Sequence, residues 1–296
     1  MKVVRLPKNL KIFKKVDYPP HNIGFNLEGE ITKRLLESAK NIETNLKFLP
    51  IQWTNYFIKN KYGKNLSELE KYNNKKLKNK KNNYFTVIQY ADGHLVETEN
   101  ILFFSASGLD KKLLNKSTSY IKIPLIAEEH KKLENNVNKK YIASFIGRNT
   151  HDVRTQMKDV LNNEERFKIN VFSSPVINEE NQHIFKNLME KSYFSLCPRG
   201  YGVTSYRLFE SFQFSTVPVY ISEEKDYYLP FEDIIDWEKL CVLQDINSIK
   251  HLPKRLNDII NSGKYKSMLE YGAYCNNNFF NYDFITKYII EKIESF

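Results

Sequence analysis

From Tyr84 to the C-terminus, short runs rich in β-branched and aromatic residues alternate with stretches that carry apolar residues at helical spacing, such as Ile184 and Leu188. Strands that alternate with helices in this way form parallel sheets covered by helices on both faces. This alternation predicts the α/β class. The predicted strands are YFTVIQY, ILFFSA, YIKIPLI, YIASFIG, KINVFSS, YFSLCP, VPVYIS and LCVLQ.

The length of 296 residues predicts two domains, because a single domain usually has about 100–200 residues. The polar stretch from Glu128 to Lys140 separates a first group of predicted strands from a second group and is the predicted boundary or interdomain helix. We therefore expect an N-terminal domain over residues 1–135 and a C-terminal domain over 136–280.

The two ends of the chain differ in how clearly they can be interpreted. Segment 281–296 places Ile285, Ile289 and Ile293 on one helical face, which predicts a terminal amphipathic helix that packs back on the first domain. The first eighty residues show a helical pattern near EITKRLLESAKNIE and little else. A signal peptide and a membrane-spanning helix are both disfavoured, because no apolar run has the necessary length.

The net charge bears on the kind of binding partner, and the cysteines bear on the cellular compartment. The net charge is +10, and much of the excess lies in the Lys- and Asn-rich segment 71–83. We predict a solvated loop there rather than a nucleic-acid-binding arm, while attraction to a membrane surface or an anionic glycan stays open. The three widely spaced cysteines predict neither a disulfide framework nor a zinc site and favour the cytoplasm.

The stretch SLCPRGYGVTSYRLFESF predicts an anion site. A buried strand is followed by a turn containing Gly200 and Gly202, and then by a helix whose N-cap is Ser205. The free N–H groups and the dipole at such a helix start favour phosphate. Arg199 in the loop and Arg207 in the first helical turn add donors suited to phosphate oxygens.

Glu210 follows Arg207 by three residues, on the same helix face and one turn deeper. A carboxylate in this position suits the paired hydroxyls of a ribose, so a nucleoside diphosphate would satisfy the arginines and the glutamate together. A structural alternative stays open: Arg207 and Glu210 form a surface ion pair, the glycines only shape a turn, and Cys197 is a small core residue.

The order of motifs in this half of the chain resembles the exostosin family, glycosyltransferase family 47. A C-P-R-G loop is followed by S-x-R-x-x-E, then by P-V, L-P-F and I-D-W. Weaker likeness extends upstream through YIASFIGRNTHDVRTQM, YIKIP and QYADG, so that the resemblance covers roughly Phe85 to the C-terminus. The first eighty residues are outside it.

The resemblance implies an inverting glycosyltransferase of the GT-B type, with two Rossmann-like domains and a cleft between them. The first domain would be on the acceptor side, and the second would hold the nucleotide sugar. The expected donor is a uridine diphosphate sugar, and the expected acceptor is a glycan or glycoconjugate. No Asp-x-Asp pair occurs in the chain, so the helix N-terminus and the arginines are expected to replace a metal, and no cofactor is expected. Neither a nucleic acid nor a membrane span is expected.

The same resemblance assigns roles to the glycine loop and the helix that follows it. Arg199 and Arg207 would neutralise the diphosphate leaving group and so act in catalysis as well as in donor binding. Gly200 would let the loop approach the phosphates, Ser205 would offer backbone and hydroxyl donors, and Glu210 would hold the ribose.

Two further sets of residues receive roles from the resemblance. Gly147 and Arg148 would lie at the first strand end of the donor domain and close over the phosphates. The pocket floor would be shaped by Pro230, Phe231, Asp236 and Trp237.

An inverting transfer also needs a general base from the first domain. Asp92 is the candidate, with His94 and Glu97 near it, although an Asp-Gly turn without chemical function explains Asp92 equally well.

The chain departs from the family pattern in two respects. Ser215 and Thr216 stand where a glycine is usual before P-V, and the membrane anchor of family members made in the secretory pathway is not expected here. A noncatalytic nucleotide-sugar- or glycan-binding relative and a basic nucleic-acid-binding protein remain as alternatives.

Overall fold

The computed structural model divides the chain into two compact units, one made of Met1–Leu125 with Asn281–Phe296 and the other of Ile126–Phe280. It describes residues 1–10, 27–77, 83–108, 118–127, 129–130, 138–173, 179–223 and 227–296. The predicted boundary at 135/136 and residues 78–82 of the Lys- and Asn-rich segment lie outside the described residues. Residues 71–77 of that segment are helical, with Asn73 and Leu77 buried, so the predicted solvated loop is wrong there. The acceptor and donor roles of the two units stay predictions.

The first unit contains a five-stranded sheet in which every pairing is parallel and the strand order follows the sequence, β1-β2-β3-β4-β5. Strands β3 and β4 are buried along their whole length, as expected for parallel strands covered on both faces. The strands are β1 Lys2–Val3, β2 Lys47–Phe48, β3 Tyr84–Ile88, β4 Ile101–Ser105 and β5 Thr118–Lys122.

The second unit contains another five-stranded parallel sheet, but its spatial order is β10-β9-β8-β6-β7. The chain steps from β6 outward to β7 and then returns to the other side of β6 to form β8, so the order reverses between β6 and β8. Ligands of open α/β sheets bind at such a reversal, outside the carboxyl ends of the strands. The strands are β6 Tyr141–Arg148, β7 Phe167–Phe172, β8 Ser192–Pro198, β9 Val217–Ser222 and β10 Val242–Asp245.

The helices cover the two sheets. Thr44 Oγ1 donates to the carbonyl of Ile293 at 2.5 Å, which fastens the last helix within the first unit. The helices are α1 Leu27–Ser38, α2 Trp53–Lys59, α3 Ser67–Tyr72, α4 Asp152–Leu161, α5 Glu179–Glu190, α6 Tyr206–Gln213, α7 Leu252–Asn261, α8 Lys264–Asn278 and α9 Tyr282–Glu294. No helix in the described part of the chain is long and apolar enough to cross a membrane.

The predicted α/β class, with two Rossmann-like parallel-sheet units, is confirmed. All eight predicted strands are present as β3 to β10. The terminal helix is also confirmed: Ile285, Ile289 and Ile293 are fully buried on one face of α9. The sequence reasoning missed β1 and β2, because two residues are too few to show an alternating pattern.

Candidate functional site

The candidate site lies at the reversal point of the second sheet. Strand β8 ends at Pro198, the glycine loop follows, and Ser205 caps α6 by accepting a hydrogen bond from the backbone N–H of Arg207 at 3.2 Å. The predicted strand, loop and helix start are therefore confirmed. The end of the neighbouring strand β6, at Gly147 and Arg148, is at the same edge because the two strands are parallel.

Arg207 extends from the first turn of α6 to this edge. Its guanidinium carbon lies 4.4 Å from the ring centre of Phe145 and 5.3 Å from that of Phe185, and Nη2 donates to the carbonyl of Ile146. Nε and Nη1 are buried and have no hydrogen-bond partner among the described residues. Burial lowers the pKa of Arg207, while the charge of Glu210 opposes that change.

Arg154, which the sequence reasoning did not assign, is the third cation at this edge. It lies in the first turn of α4, Nε donates to the carbonyl of Arg199 at 2.9 Å, and Nη1 donates to the carbonyl of Arg148 at 2.6 Å. Arg154 thus joins the ends of β8 and β6. Burial, followed by repulsion from Arg207, lowers the pKa of Arg154 to about 9, so the group is still a cation at neutral pH.

Two of the predicted glycines leave room for Arg154. A Cβ atom at Gly200 would lie 3.1 Å from Nη2 of Arg154, and a Cβ atom at Gly147 would lie 3.1 Å from the ring of Phe145 and 3.6 Å from Nη1 of Arg154. A side chain at either position would push the guanidinium or the ring aside. These glycines therefore have a packing function that the motif alone does not reveal.

Arg199 completes the group of cations. Its Nη1 lies 3.5 Å from Oε2 of Glu223, and its Nε is buried without a hydrogen-bond partner among the described residues. The same carboxylate oxygen lies 3.7 Å from Nε2 of His151, the N-cap of α4. Arg148 differs from the other arginines of this edge because its side chain is exposed. We refer below to Arg154, Arg199 and Arg207 as the arginine cluster.

Glu210 is buried, and Oε1 lies 3.0 Å from Nε2 of His130. This contact was not anticipated, because His130 precedes Glu210 by eighty residues and belongs to no recognised motif. The structural alternative considered above, a surface ion pair of Glu210 with Arg207, does not describe the site, since Glu210 is buried. Cys197 is buried as well, and burial raises the pKa of its thiol to about 11, so it is a neutral core residue.

The residues predicted to shape the pocket floor are close to one another. Trp237 is buried, donates from Nε1 to the carbonyl of Pro230 at 2.8 Å, and packs edge-on against Phe209. Phe231 is also buried and has a positive φ of 57°, whereas Asp236 is exposed and pairs with Lys239 at 3.0 Å. The role of these residues in a ligand pocket stays a prediction.

In the first unit, the candidate base Asp92 is exposed in a turn that follows β3. Parallel pairing places this turn at the carboxyl edge of the first sheet, where ligands of such sheets bind. His94 is fully buried, contacts the hydroxyl of Tyr120 and lies 4.7 Å from the ring of Phe103. Asp92 and Glu97 are therefore accessible, whereas His94 is not.

Comparison with protein-family models gives a match over most of the chain. The model of the Exostosin GT47 domain matches residues 71–259. A probable glycosyltransferase of Arabidopsis thaliana is 41% identical over 75 residues, which are 25% of this chain and 16% of that protein. Exostosin-1a of Danio rerio is 33% identical over 81 residues, 27% of this chain and 11% of that protein. The matched part thus spans less than a fifth of either relative.

Solved structures give only weak likeness. Anabaena HepE in complex with UDP-glucose has a TM-score of 0.40 and 9% identity, covering 90% of this chain and 82% of that one. A glycosyltransferase from Rickettsia africae has a TM-score of 0.41 and 10% identity, covering 95% and 83%. At these values the likeness carries no conclusion about a ligand.

Proposed function

This chain belongs to the Exostosin GT47 domain family, and on that premise we propose that it is an inverting glycosyltransferase that uses a UDP-sugar. The acceptor is a glycan or glycoconjugate. The arginine cluster holds the diphosphate, Glu210 accepts hydrogen bonds from the ribose hydroxyls, and the reaction requires no cofactor.

The observation that carries this proposal is the set of buried N–H groups in the arginine cluster that have no acceptor among the described residues. Buried N–H groups of Arg199 and Arg207 have no partner among the described residues, and Arg154 and Arg207 repel each other. A buried polar group without a partner costs about 1–3 kcal/mol, and more when it is charged. Such an arrangement is explained by an anion that supplies the missing acceptors, and the two phosphates of a nucleoside diphosphate are of the right charge and chemistry.

The reaction follows from the charges. A base takes the proton of an acceptor hydroxyl, its oxygen attacks the anomeric carbon, and the bond from that carbon to the β-phosphate oxygen breaks on the opposite face. The electron pair of that bond leaves with UDP, whose added negative charge is stabilised by Arg199, Arg207 and the N-terminus of α6. Preorganised donors of this kind commonly supply a large share of the rate enhancement. Asp92 is the proposed base.

The proposal is tested by calorimetric titration of the protein with UDP in the presence of EDTA. We expect binding that EDTA does not abolish, and a loss of affinity of about 10- to 100-fold in Arg207→Gln and in Arg154→Gln, because each removes a charge-assisted contact of about 1.5–3 kcal/mol. Incubation with UDP-sugars should then release UDP slowly, with water in place of the acceptor.

Arg166→Gln is the matched control. Arg166 is an exposed arginine of the same unit that lies just before β7, at the opposite edge of the sheet from the cluster. Its replacement should leave the affinity for UDP within about twofold of the parent, since it removes a charge but no phosphate contact. Equal losses in all three variants would indicate a nonspecific effect of net charge and contradict the proposed site. Binding without UDP release would favour the noncatalytic relative.

A further inference from the structure

His130 and Glu210 form a polar contact between two largely buried side chains. Only 14% of the His130 side chain and 10% of the Glu210 side chain are exposed, and the Nε2 to Oε1 distance is 3.0 Å. An ionised carboxylate only accepts hydrogen bonds, so Nε2 of His130 must carry the proton and donate it. His130 therefore fixes one oxygen of the carboxylate that the proposed function assigns to the ribose.

His130 itself is held on three sides. Its backbone N–H donates to Oε1 of Gln213, at the end of α6, at 2.8 Å. Its ring lies 5.3 Å from that of Phe214 and 5.9 Å, edge-on, from that of Phe185. These contacts are made to α5, to α6 and to the residue after α6, so the imidazole is a rigid support for Glu210 rather than a freely rotating side chain.

The alternative partner of Glu210 is on its own helix. Arg207 precedes Glu210 by one turn, its charge attracts that of Glu210, and residues three apart on a helix are close enough to pair. Yet Nε and Nη1 of Arg207 are not hydrogen-bonded to any described residue. Oε1 of Glu210 is instead bonded to His130, and the two Arg207 donors remain available to phosphate oxygens.

We propose that His130 is a positioning residue for nucleotide recognition: it orients Glu210 toward the ribose hydroxyls and keeps Oε1 of Glu210 from accepting a hydrogen bond from Arg207. This inference rests on the proposed function, because it assigns a ribose to Glu210. Groups that orient a binding residue usually change affinity or activity when they are replaced, although they do not touch the ligand.

The test compares the affinities for UDP and for 2′-deoxy-UDP, both measured by calorimetry. The parent should bind UDP about tenfold more tightly, the equivalent of a hydrogen bond to a charged group worth about 1.4 kcal/mol. His130→Gln places an amide nitrogen near the position of Nε2 and should keep most of this preference. His130→Asn places its amide near the position of Nδ1, too far from Glu210, and should reduce the preference to about twofold or less.

Glu210→Gln provides the coupling test. It should also abolish the preference for UDP, and His130→Asn should cause no further loss in the Glu210→Gln background, because residues that act through one contact are not additive. His183→Asn is the control, since His183 is an exposed histidine on α5. It should retain the preference of the parent. If His130→Asn does not fold, as judged by thermal unfolding, His130→Phe replaces it, because the phenyl ring keeps the aromatic contacts without the donor.

The outcomes separate the two proposals. A parent that prefers UDP, with the preference lost in Glu210→Gln but kept in His130→Asn, overturns the role of His130 and leaves the proposed function intact. A parent that binds neither nucleotide overturns both. Loss of the preference in His130→Asn with retention in His130→Gln supports the inference, since a general packing defect would affect both variants.

Discussion

Within the described residues, the two sheets have the same number of strands and the same parallel pairing, but they differ in strand order. In the first sheet the order follows the sequence, whereas the second reverses between β6 and β8. The reversal sends neighbouring connections apart and opens a crevice at the carboxyl edge. The arginine cluster lies at this point. The arginine cluster therefore lies at the carboxyl edge of the sheet whose strand order reverses, although the two sheets have equal numbers of described strands.

The two units also differ in the buried ionisable groups whose pKa values are shifted by burial. In the first unit, Glu28 is fully buried at the start of α1 and accepts hydrogen bonds from the hydroxyl of Thr54 at 2.7 Å and the N–H of Gln89 at 2.7 Å. Burial raises the pKa of Glu28 to about 7, although these hydrogen bonds oppose the change. In the second unit burial lowers the pKa of Arg154 and Arg207. Glu28 accepts hydrogen bonds from donors within the protein, whereas buried N–H groups of Arg199 and Arg207 have no acceptor among the described residues.

The largest expected effect concerns the first unit. If Asp92 is the base, Asp92→Asn should lower kcat for release of UDP from the UDP-sugar by about 100- to 10,000-fold, the usual range for removal of a general base. The affinity for UDP should not change, because the proposed nucleotide contacts belong to the second unit. Steady-state hydrolysis and calorimetry measure the two quantities separately.

Glu97→Gln is the matched control for this prediction. Glu97 is an exposed carboxylate of the same β3 to β4 connection, so its removal changes the local charge in the same direction. A kcat that falls in Glu97→Gln and not in Asp92→Asn would refute the assignment. It would leave the Asp-Gly turn as the explanation of Asp92.

The next effect is the pH dependence that Glu28 gives to the stability of the first unit. Its folded-state pKa of about 7 is above the ordinary value of 4.5, so its contribution is fully present below pH 4.5 and is lost as the pH rises through 7. The difference in pKa corresponds to about 3 kcal/mol. Relative to Glu28→Gln, the parent should therefore lose about this much unfolding free energy between pH 4.5 and pH 7.5.

Urea unfolding followed by the fluorescence of Trp53 measures this change in the first unit, in a Trp237→Phe background that removes the second tryptophan. Glu30→Gln is the control, because Glu30 is in the same helical turn but is partly exposed and pairs with Arg34 at 2.8 Å. It should show a much smaller pH-dependent difference, since solvent screens an exposed pair. Equal slopes for the parent and Glu28→Gln would show that folding does not raise the pKa of Glu28.

The smallest effect compares two helix caps. Ser205→Ala removes the cap of α6 and should lower the unfolding free energy of the second unit by about 1 kcal/mol. It should also weaken UDP binding severalfold, because the frayed first turn carries Arg207. Asn281→Ala removes the cap of α9, where Oδ1 accepts from the N–H of Phe284 at 2.8 Å, and should destabilise the first unit by a similar amount without changing UDP binding. Equal effects on binding would contradict a site at the start of α6.

The sequence was sufficient to predict the elements of the second unit and helix α9 of the first, because local patterns define them. Alternating strand and helix patterns, Ser205 as an N-cap and the isoleucine face of α9 depend on residues within a few positions of one another. In the first eighty residues such signals are weak: β1 and β2 have two residues each, and parallel pairing rather than their own pattern defines them. The motif order was likewise enough to identify the family.

Tertiary structure alone brought Arg154 and His130 to the candidate site. Arg154 follows the helix cap of α4 by three residues and was indistinguishable in sequence from a surface arginine, yet it bonds to the carbonyls of Arg148 and Arg199. His130 meets Glu210 across eighty residues of chain. The sequence therefore determined which elements form and which family they represent. The reversal of strand order and the packing of α4, α5 and α6 decided which distant charged side chains lie together at the candidate site. Such proximity depends on positions in space rather than on neighbours in the chain.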